Sequence, residues 1–287
     1  MIEISKEILK GIYKTRDPNV KKYDFGLLVV IGGSQFYSGS PALSALAAFR
    51  AGVDMVRIVA PKRAADIIAS FSPNLAAFPV KGDYLDKEDL PDLITMMEST
   101  KAFAPGKTAI AIGGGAGRTE EVQSTILEFL EKAQVPAVID NDGLYAIAKK
   151  PELLKGKPFV LTPQTYEFFI LTGKEIRNLP EEQKIKMVQE EAARLQTTIL
   201  LKGPIDIVSD GKQVAVIRGG TPYMTKGGLG DALTGICGAF LARGINVFDS
   251  ACAASYINKK AGEIVSEKLK ESLMATDLID AIPQVIN

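Results

Sequence analysis

Short apolar segments alternate with longer amphipathic segments along most of this chain, and this alternation is the strongest constraint on its fold. The apolar segments are rich in Val and Ile and run without polar interruption, as strands do when both faces of a sheet are covered. They lie at residues 27–31, 55–60, 109–112, 137–139, 159–162, 198–201 and 205–209. Because strands separated by helices usually pair in parallel, we expect an α/β fold with a central, mostly parallel sheet and helices on both faces.

The predicted helices lie at residues 41–51, 64–70, 89–100, 120–132, 165–171, 181–195, 229–243 and 247–268. One strand pair departs from the parallel pattern, because Asp210 and Gly211 separate two apolar runs and such a pair favours a tight hairpin. An antiparallel pair is therefore expected near residue 210. No repeat, low-complexity segment or polar linker interrupts the pattern, so we expect residues 1–287 to form a single domain.

Composition limits the classes of function. Lys plus Arg and Asp plus Glu are equal at 34 each, so no net charge attracts the chain to nucleic acid or to an anionic membrane. The chain has no histidine, which excludes Ser-His-Asp triads and His-ligated zinc. Cys237 and Cys252 lie in apolar helical runs and are expected to be buried and unpaired. Without a membrane-span pattern or a signal-peptide pattern, we expect a cytoplasmic protein with small-molecule partners.

The strongest motif is Gly-Gly-Leu-Gly-Asp at residues 227–231, followed by an apolar helical run. Glycines at the start of a helix let backbone N–H groups approach an anion, and the helix N-terminus adds partial positive charge. Asp231 would lie beside this anion site, able to accept a proton from a hydroxyl. The arrangement is typical of phosphoryl transfer, although a plain loop with an aspartate cap would also contain these residues.

Five polar or glycine-bearing loops follow predicted strands, at residues 32–41, 113–118, 140–143, 162–167 and 202–206. The carboxyl ends of parallel strands share one edge of a sheet, which is where ligands bind. The acids of these loops, Asp140, Asp142 and Glu167, could hold Mg²⁺ directly or through water against nucleotide phosphates. They could equally be turn and cap residues, and Lys202 could neutralise a phosphate or simply end a strand in solvent.

Two nucleotide-binding motifs fail on spacing or context. The loop at 113–117 follows a strand as the dinucleotide-binding fingerprint does, but that fingerprint needs glycine where Arg118 stands. The Gly-Lys-Thr sequence at 106–108 ends like a P-loop, yet it precedes a predicted strand instead of following one. Neither motif therefore defines a nucleotide site.

Seven motifs in order resemble the ribokinase-like superfamily. More closely, they resemble the nucleotide-dependent NAD(P)HX dehydratases, a carbohydrate-kinase-like domain also found fused behind a hydrate epimerase. The motifs lie at residues 24–34, 39–52, 112–117, 138–144, 161–167, 201–203 and 219–231. The similarity covers nearly the whole chain, and it implies a ribokinase-like three-layer αβα fold.

The resemblance implies a repair reaction. Hydrated NADH or NADPH, in the S form of NADHX or NADPHX, carries a hydroxyl on its nicotinamide ring. ADP or ATP phosphorylates that hydroxyl, and loss of phosphate then restores the double bond. The resemblance also implies Mg²⁺ as cofactor, a homo-oligomer such as a tetramer, and functional pairing with a separate NAD(P)HX epimerase.

The family pattern assigns residues to the two sides of the site, with Asp231 as the base that contacts the hydrate. The other residues on the hydrate side are Ser40, Ala42, Gly117 and Gln164. The residues on the nucleotide side are Lys202, Gly203, Pro204, Ile205, Asp206, Gly227, Gly228 and Gly230. Gln164 stands where the family usually has histidine, and glutamine can form hydrogen bonds but cannot carry a proton at neutral pH.

Two other functions remain open from the sequence. The segment that contains Glu167 also resembles the corresponding segment of other ribokinase-like kinases, which favours a kinase acting on a vitamin-precursor or sugar hydroxyl. A non-catalytic nucleotide-binding protein on the same scaffold is the third reading. It is disfavoured because the chain keeps both Asp231 and its neighbouring glycines.

Overall fold

One ten-stranded sheet runs through the molecule in the order β1-β10-β9-β8-β7-β6-β5-β2-β3-β4. The structure is a computed structural model that describes all 287 residues, Met1–Asn287. Its strands are β1 (Ile2–Glu3), β2 (Leu27–Ile31), β3 (Met55–Pro61), β4 (Ala76–Val80), β5 (Thr108–Ile112), β6 (Ala137–Ile139), β7 (Phe159–Leu161), β8 (Thr198–Leu201), β9 (Asp206–Ser209) and β10 (Val214–Ile217).

Most neighbouring strands of the sheet are parallel, as predicted. Parallel pairing runs without a break from β8 through β7, β6, β5, β2 and β3 to β4. Strand β9 is antiparallel to both of its neighbours, β8 and β10. The turn between β9 and β10 contains Asp210 and Gly211, and Gly211 has a φ of +88°. The predicted hairpin is thus confirmed.

The helices form a layer on each face of the sheet. They are α1 (Glu7–Ile12), α2 (Gly39–Arg50), α3 (Lys62–Phe71), α4 (Leu90–Phe103), α5 (Glu120–Lys132), α6 (Asp142–Ile147), α7 (Thr165–Thr172), α8 (Glu181–Leu195), α9 (Leu229–Ala242), α10 (Val247–Leu269) and α11 (Ala275–Ile286). One layer contains α1, α2, α3, α9, α10 and α11, and the other contains α4 to α8. No helix combines the length and apolarity that a membrane span needs.

The core has two halves because the strands are buried on both faces. In β2, Leu28 and Val30 pack into one cluster of 49 buried residues, whereas Val29 and Ile31 pack into the opposite cluster of 36. This explains why the strand sequences are unbroken apolar runs that do not alternate between apolar and polar residues. Cys237 and Cys252 are both buried and unpaired, as expected.

Candidate active site

The loops after β2, β5 and β6 touch one another at the carboxyl edge of the sheet. The backbone N–H of Gly33 donates to the carbonyl oxygen of Gly114 at 2.8 Å. A Cβ on Gly32 would lie 2.4 Å from the Gly114 oxygen, and one on Gly113 would lie 2.2 Å from the Asp140 oxygen. Backbones can approach this closely only where side chains are absent. The glycines predicted to line a site therefore bring three loops together.

Helix α9 begins beside these loops. Gly228 adopts a left-handed φ of +90° and turns the chain into the helix. The first N–H groups of a helix have no partner within it and carry partial positive charge. A Cβ on Gly227 would meet no atom within 4 Å, whereas one on Gly230 would lie 3.4 Å from Lys202 Nζ. The glycine loop, residues 227–230, therefore leaves room for an anion beside a lysine ammonium.

Asp231, in the first turn of α9, is 5% exposed. Its Oδ1 accepts a hydrogen bond from Asn141 Nδ2 at 3.2 Å. Burial raises the pKa of Asp231 to about 6, and the negative charge of Asp140 adds to the effect. The Ser40 hydroxyl and the Lys202 ammonium lower this pKa but do not offset the burial. Asp231 is therefore ionised at neutral pH, with a pKa suited to a general base.

Asp140 and Lys202 form a buried ion pair next to Asp231. Lys202 Nζ donates to Asp140 Oδ1 at 2.7 Å, and Thr234 Oγ1 donates to Asp140 Oδ2 at 2.8 Å. Burial alone would lower the pKa of Lys202, but the charges of Asp140 and Glu167 raise it above its ordinary value. The ammonium thus keeps its charge. Since buried ion pairs add little stability, this pair is better explained by the charge it brings to the site.

A small cavity of about 10 Å³ lies behind Asp231. Its polar lining comes from Ser44, Asp140, Asp231 and Thr234. Ser44 Oγ also donates to the backbone oxygen of Asp231 at 2.9 Å, which fixes the start of α9 against α2. This volume is about that of one water. The cavity is therefore too small to hold a substrate.

The residues predicted on the hydrate side are only partly brought together. Ser40 reaches the Asp231 carboxylate, whereas Ala42 packs into the core beneath it. Gly117 has a φ of +95°, and a Cβ there would lie 3.0 Å from the ring of Tyr84. Gln164 is exposed at the N-cap of α7, where its side chain is available to a ligand.

The three predicted metal ligands do not gather into one carboxylate cluster. Asp142 accepts hydrogen bonds from Gly117 N at 2.8 Å and Arg118 Nε at 2.7 Å. Glu167 caps its own helix through its Oε2, and the third acid is held in the ion pair described above. The structure therefore forms no direct three-carboxylate site. A site in which water lies between metal and carboxylate stays a prediction.

The segment predicted to contact the nucleotide has an exposed part and a buried part. Gly203 and Pro204 are exposed, and Ile205 is half-buried. Asp206 is 5% exposed, and its carboxylate accepts hydrogen bonds from Gly203 N at 2.9 Å and Ser255 Oγ at 2.6 Å. The Asp206 side chain therefore shapes this loop from inside and does not present a carboxylate to a ligand.

Sequence reasoning assigned no role to several residues of the site. Two of them are the tyrosines Tyr37 and Tyr84. A Cβ on Gly115 would lie 2.8 Å from the ring of Tyr37, and the ring of Tyr84 packs closely on Gly117. Burial and the charge of Asp231 raise the pKa of Tyr37, so its hydroxyl stays protonated. A tyrosine within a Gly- and Ser-rich loop was the available signal. No local pattern pointed to the contact between Asn141 and Asp231.

Known proteins resemble this chain over most of its length. The family model described as NAD(P)H-hydrate dehydratase matches residues 28–284. The chain belongs to the NAD(P)H-hydrate dehydratase family. Within the family, the ADP-dependent (S)-NAD(P)H-hydrate dehydratase of Nitrosopumilus maritimus is 32% identical over an alignment of 289 positions, which covers 99% of this chain and 96% of the relative.

Some members of the NAD(P)H-hydrate dehydratase family are longer. The bifunctional NAD(P)H-hydrate repair enzyme of Pyrobaculum aerophilum is 39% identical over 274 residues, which are 95% of this chain and 52% of that enzyme. The chain thus spans about half the length of such relatives. The ADP/ATP-dependent NAD(P)H-hydrate dehydratase of Bacillus subtilis, co-crystallized with ATP/Mg²⁺, superposes with a TM-score of 0.79 at 23% identity, covering 99% of this chain and 97% of that one. This likeness confirms the predicted αβα fold.

Proposed function

We propose that this protein dehydrates the S forms of NADHX and NADPHX in a reaction that consumes ADP or ATP. The observation that carries the proposal is the buried carboxylate of Asp231, with a pKa of about 6, at the start of α9 beside Lys202. Family membership supports the reaction, because relatives that match nearly this whole chain are named ADP-dependent and ATP-dependent (S)-NAD(P)H-hydrate dehydratases.

In the proposed first step, Asp231 removes the proton from the hydroxyl of the hydrated nicotinamide ring. The hydroxyl oxygen then attacks the terminal phosphorus of the nucleotide, and the bond from phosphorus to the bridging oxygen breaks. Negative charge on the moving phosphoryl group is stabilised by the N–H groups at the start of α9 and by the Lys202 ammonium. The products of this step are a phosphorylated ring and a nucleotide shortened by one phosphate.

The second step is an elimination. The carbon–oxygen bond to phosphate breaks, the neighbouring ring carbon loses a proton, and the double bond of NADH or NADPH forms. A hydroxide leaving group is poor, whereas phosphate is a good one that the same anion site can hold. Both parts of the added water, the oxygen as phosphate and the proton of the neighbouring carbon, thus leave the ring in this second step.

Magnesium fits this site through water. Asp140 has both carboxylate oxygens engaged by Lys202 and Thr234, and Glu167 has one oxygen engaged in a cap, so contact with a metal through water is favoured over direct contact. Mg²⁺ usually keeps several waters and needs few protein carboxylates. When bound, it would neutralise nucleotide phosphates, and Asp140 and Glu167 would hold it through its waters.

Four further proposals accompany this function. Residues 1–287 form a single domain, which is supported by one sheet with both core clusters packed on it. The two buried, unpaired cysteines support location in the cytoplasm. A homo-oligomer such as a tetramer rests on the family resemblance alone. Functional pairing with an NAD(P)HX epimerase is supported by the greater length of the bifunctional relatives.

The deciding experiment follows the return of NADH absorbance from purified (S)-NADHX with Mg²⁺ and either ADP or ATP. The R form is the matched control, and it should regenerate NADH only when an epimerase is added. Omission of nucleotide should abolish the signal. No regeneration from either form, together with phosphorylation of a vitamin precursor or sugar in a kinase panel, would establish the kinase reading instead. Nucleotide binding without any turnover would support a non-catalytic protein.

A further inference from the structure

A buried lysine of α10 lies behind the segment assigned to the nucleotide. Lys259 is 5% exposed. Its ammonium donates to the carbonyl oxygens of Gly203 at 2.9 Å, Pro204 at 3.2 Å and Gly219 at 3.2 Å. It also lies 3.3 Å from Asp206 Oδ1. An ammonium has three N–H donors, so these contacts satisfy it completely without any ligand.

These contacts join two loops that are separate in the sequence. Gly203 and Pro204 belong to the turn between β8 and β9, and Gly219 follows β10. One helical turn from Lys259, Glu263 Oε1 accepts the N–H of Gly220 at 2.8 Å, so the second loop is held at two consecutive points of α10. The backbone groups that α10 binds in these loops lie outside the strands and helices, so they have no hydrogen bonds of regular secondary structure. The position of both loops therefore depends on α10.

The stability of the fold does not require this charge. Removing an ammonium from water costs several kcal/mol, and well-packed apolar residues often replace buried ion pairs without loss of stability. Lys259 is a buried charged residue in the middle of α10. All four partners of Lys259 lie in or next to the loops on the nucleotide side, and none lies in the hydrophobic core.

We propose that Lys259 is a positioning residue for the adenine nucleotide. It holds the exposed backbone of Gly203 and Pro204 at a fixed distance from Gly219, so that the nucleotide meets a preformed surface. Lys259 does not itself contact the nucleotide. The inference rests on the proposed function, because it takes the segment 203–206 to be the nucleotide side of the site.

The test compares Lys259→Met with a matched control, Lys157→Met. Lys157 also donates to three backbone carbonyl oxygens, those of Leu130 at 2.5 Å, Glu131 at 2.7 Å and Ala133 at 3.2 Å. It lies before β7, at the opposite edge of the sheet from the proposed site. Both variants therefore lose a carbonyl-bound ammonium, but only one of them loosens the loops on the nucleotide side.

In Lys259→Met, the KM for ADP or ATP should rise about tenfold or more, which corresponds to 1.4 kcal/mol of lost binding free energy. The KM for (S)-NADHX and the kcat should stay within about twofold of the wild type, since Asp231 and its partners are untouched. Lys157→Met should leave both KM values unchanged. Propylammonium added to Lys259→Ala replaces the missing part of the side chain, so it should lower the nucleotide KM, whereas 1-propanol should not.

An unchanged nucleotide KM in Lys259→Met would overturn the inference while leaving the proposed function intact. Equal increases of both KM values would overturn it as well, because they would indicate a general loss of structure. If Lys259→Met does not fold, Lys259→Gln retains two donors, and its nucleotide KM should lie between those of the wild type and Lys259→Ala. A wild-type protein that neither binds nucleotide in calorimetry nor regenerates NADH would instead refute the proposed function.

Discussion

Asp140 accepts a hydrogen bond from the Lys202 ammonium at 2.7 Å, and its negative charge raises the pKa of Asp231. Lys202 is the only side-chain cation within hydrogen-bonding distance of Asp140. The Lys202 ammonium is therefore the one buried positive charge near two buried carboxylates, those of Asp140 and Asp231. Asp140 takes the direct contact, and Asp231 is left with a neutral partner, Asn141, and a shifted pKa. This division gives the site one acid that fixes a cation and another that can exchange a proton.

Asp231→Asn should abolish most turnover without preventing folding or nucleotide binding. Asparagine keeps the size of the side chain and its oxygen acceptor, but it cannot take a proton from the substrate hydroxyl. Loss of a general base typically lowers the rate about a hundredfold to ten-thousandfold. Steady-state NADH regeneration measures the rate, and calorimetry with ADP or ATP measures the retained binding.

Near-wild-type turnover in Asp231→Asn would mean that Asp231 is not the base and that another group takes the proton. Asp231→Ser is a useful companion, because serine also removes the charge but does not match the carboxylate in length. Loss of turnover in both variants, with nucleotide binding retained in both, is the expected result.

The pH dependence of kcat/KM should reflect the ionisation of Asp231. Its pKa of about 6 in the folded protein means that the required ionised form is lost below that pH. We expect kcat/KM to fall about tenfold per pH unit below 6 and to level off above it. A profile measured between pH 5 and 8 should therefore bend near pH 6. A profile that stays level down to pH 5 would instead show that the pKa of Asp231 is not raised in the free enzyme or that Asp231 is not the base.

The same pKa predicts that Asp231 destabilises the fold at neutral pH. Its folded value of about 6 exceeds the value of about 3.9 expected in the unfolded chain, so the native state binds a proton more tightly. Stability therefore falls as the pH rises from about 4 to 6, and the whole loss is present above pH 6. A shift of about 2 units corresponds to roughly 3 kcal/mol.

Asp231→Asn removes this ionisation, so at pH 7.5 it should be more stable than the wild type by as much as about 3 kcal/mol. The difference should shrink as the pH falls from 6 toward 4 and vanish below about pH 4, where the wild-type carboxyl becomes protonated in both states. Urea denaturation at the two pH values measures it. A difference that does not change with pH would have to come from hydrogen bonding or packing and not from the charge.

The alternation of apolar and amphipathic segments was sufficient to predict the architecture, because burial of both sheet faces leaves an unmistakable pattern. β2 (Leu27–Ile31) and α5 (Glu120–Lys132) lie at their predicted bounds. Strand β4 was missed for a physical reason. It lies at the edge of the sheet, most of it is exposed, and it contains Pro79, so neither its composition nor its pattern resembles a central strand.

The candidate site, too, could be predicted from the sequence only in part. The meeting of the loop at 113–117 with Asp231 could be predicted, because the carboxyl ends of parallel strands share an edge. The ion pair between Asp140 and Lys202 could not, since these residues are 62 positions apart and no local pattern selects one lysine for one acid. Nor could the sequence tell that Asp206 is buried, because an acid beside exposed glycine and proline is usually solvated.

The close packing of α9 on α2 should make Gly235 intolerant of any side chain. A Cβ at this position would lie 2.0 Å from the carbonyl oxygen of Ser44, and that atom belongs to the backbone of a buried helix and cannot rotate away. The same Ser44 holds the start of α9 through the backbone oxygen of Asp231. Any displacement of α2 relative to α9 therefore also moves the proposed base.

Gly235→Ala should accordingly lower both stability and activity. Overpacking of a buried contact costs about 1–3 kcal/mol, and we expect the upper end because two helices must separate. Gly11→Ala is the matched control: Gly11 is also helical, but a Cβ there meets no atom within 4 Å. Since alanine favours the helix over glycine, Gly11→Ala should raise the free energy of unfolding by about 0.5–1 kcal/mol. Urea denaturation and NADH regeneration on both variants test this, and a Gly235→Ala variant as stable and active as Gly11→Ala would contradict the close packing of α2 on α9.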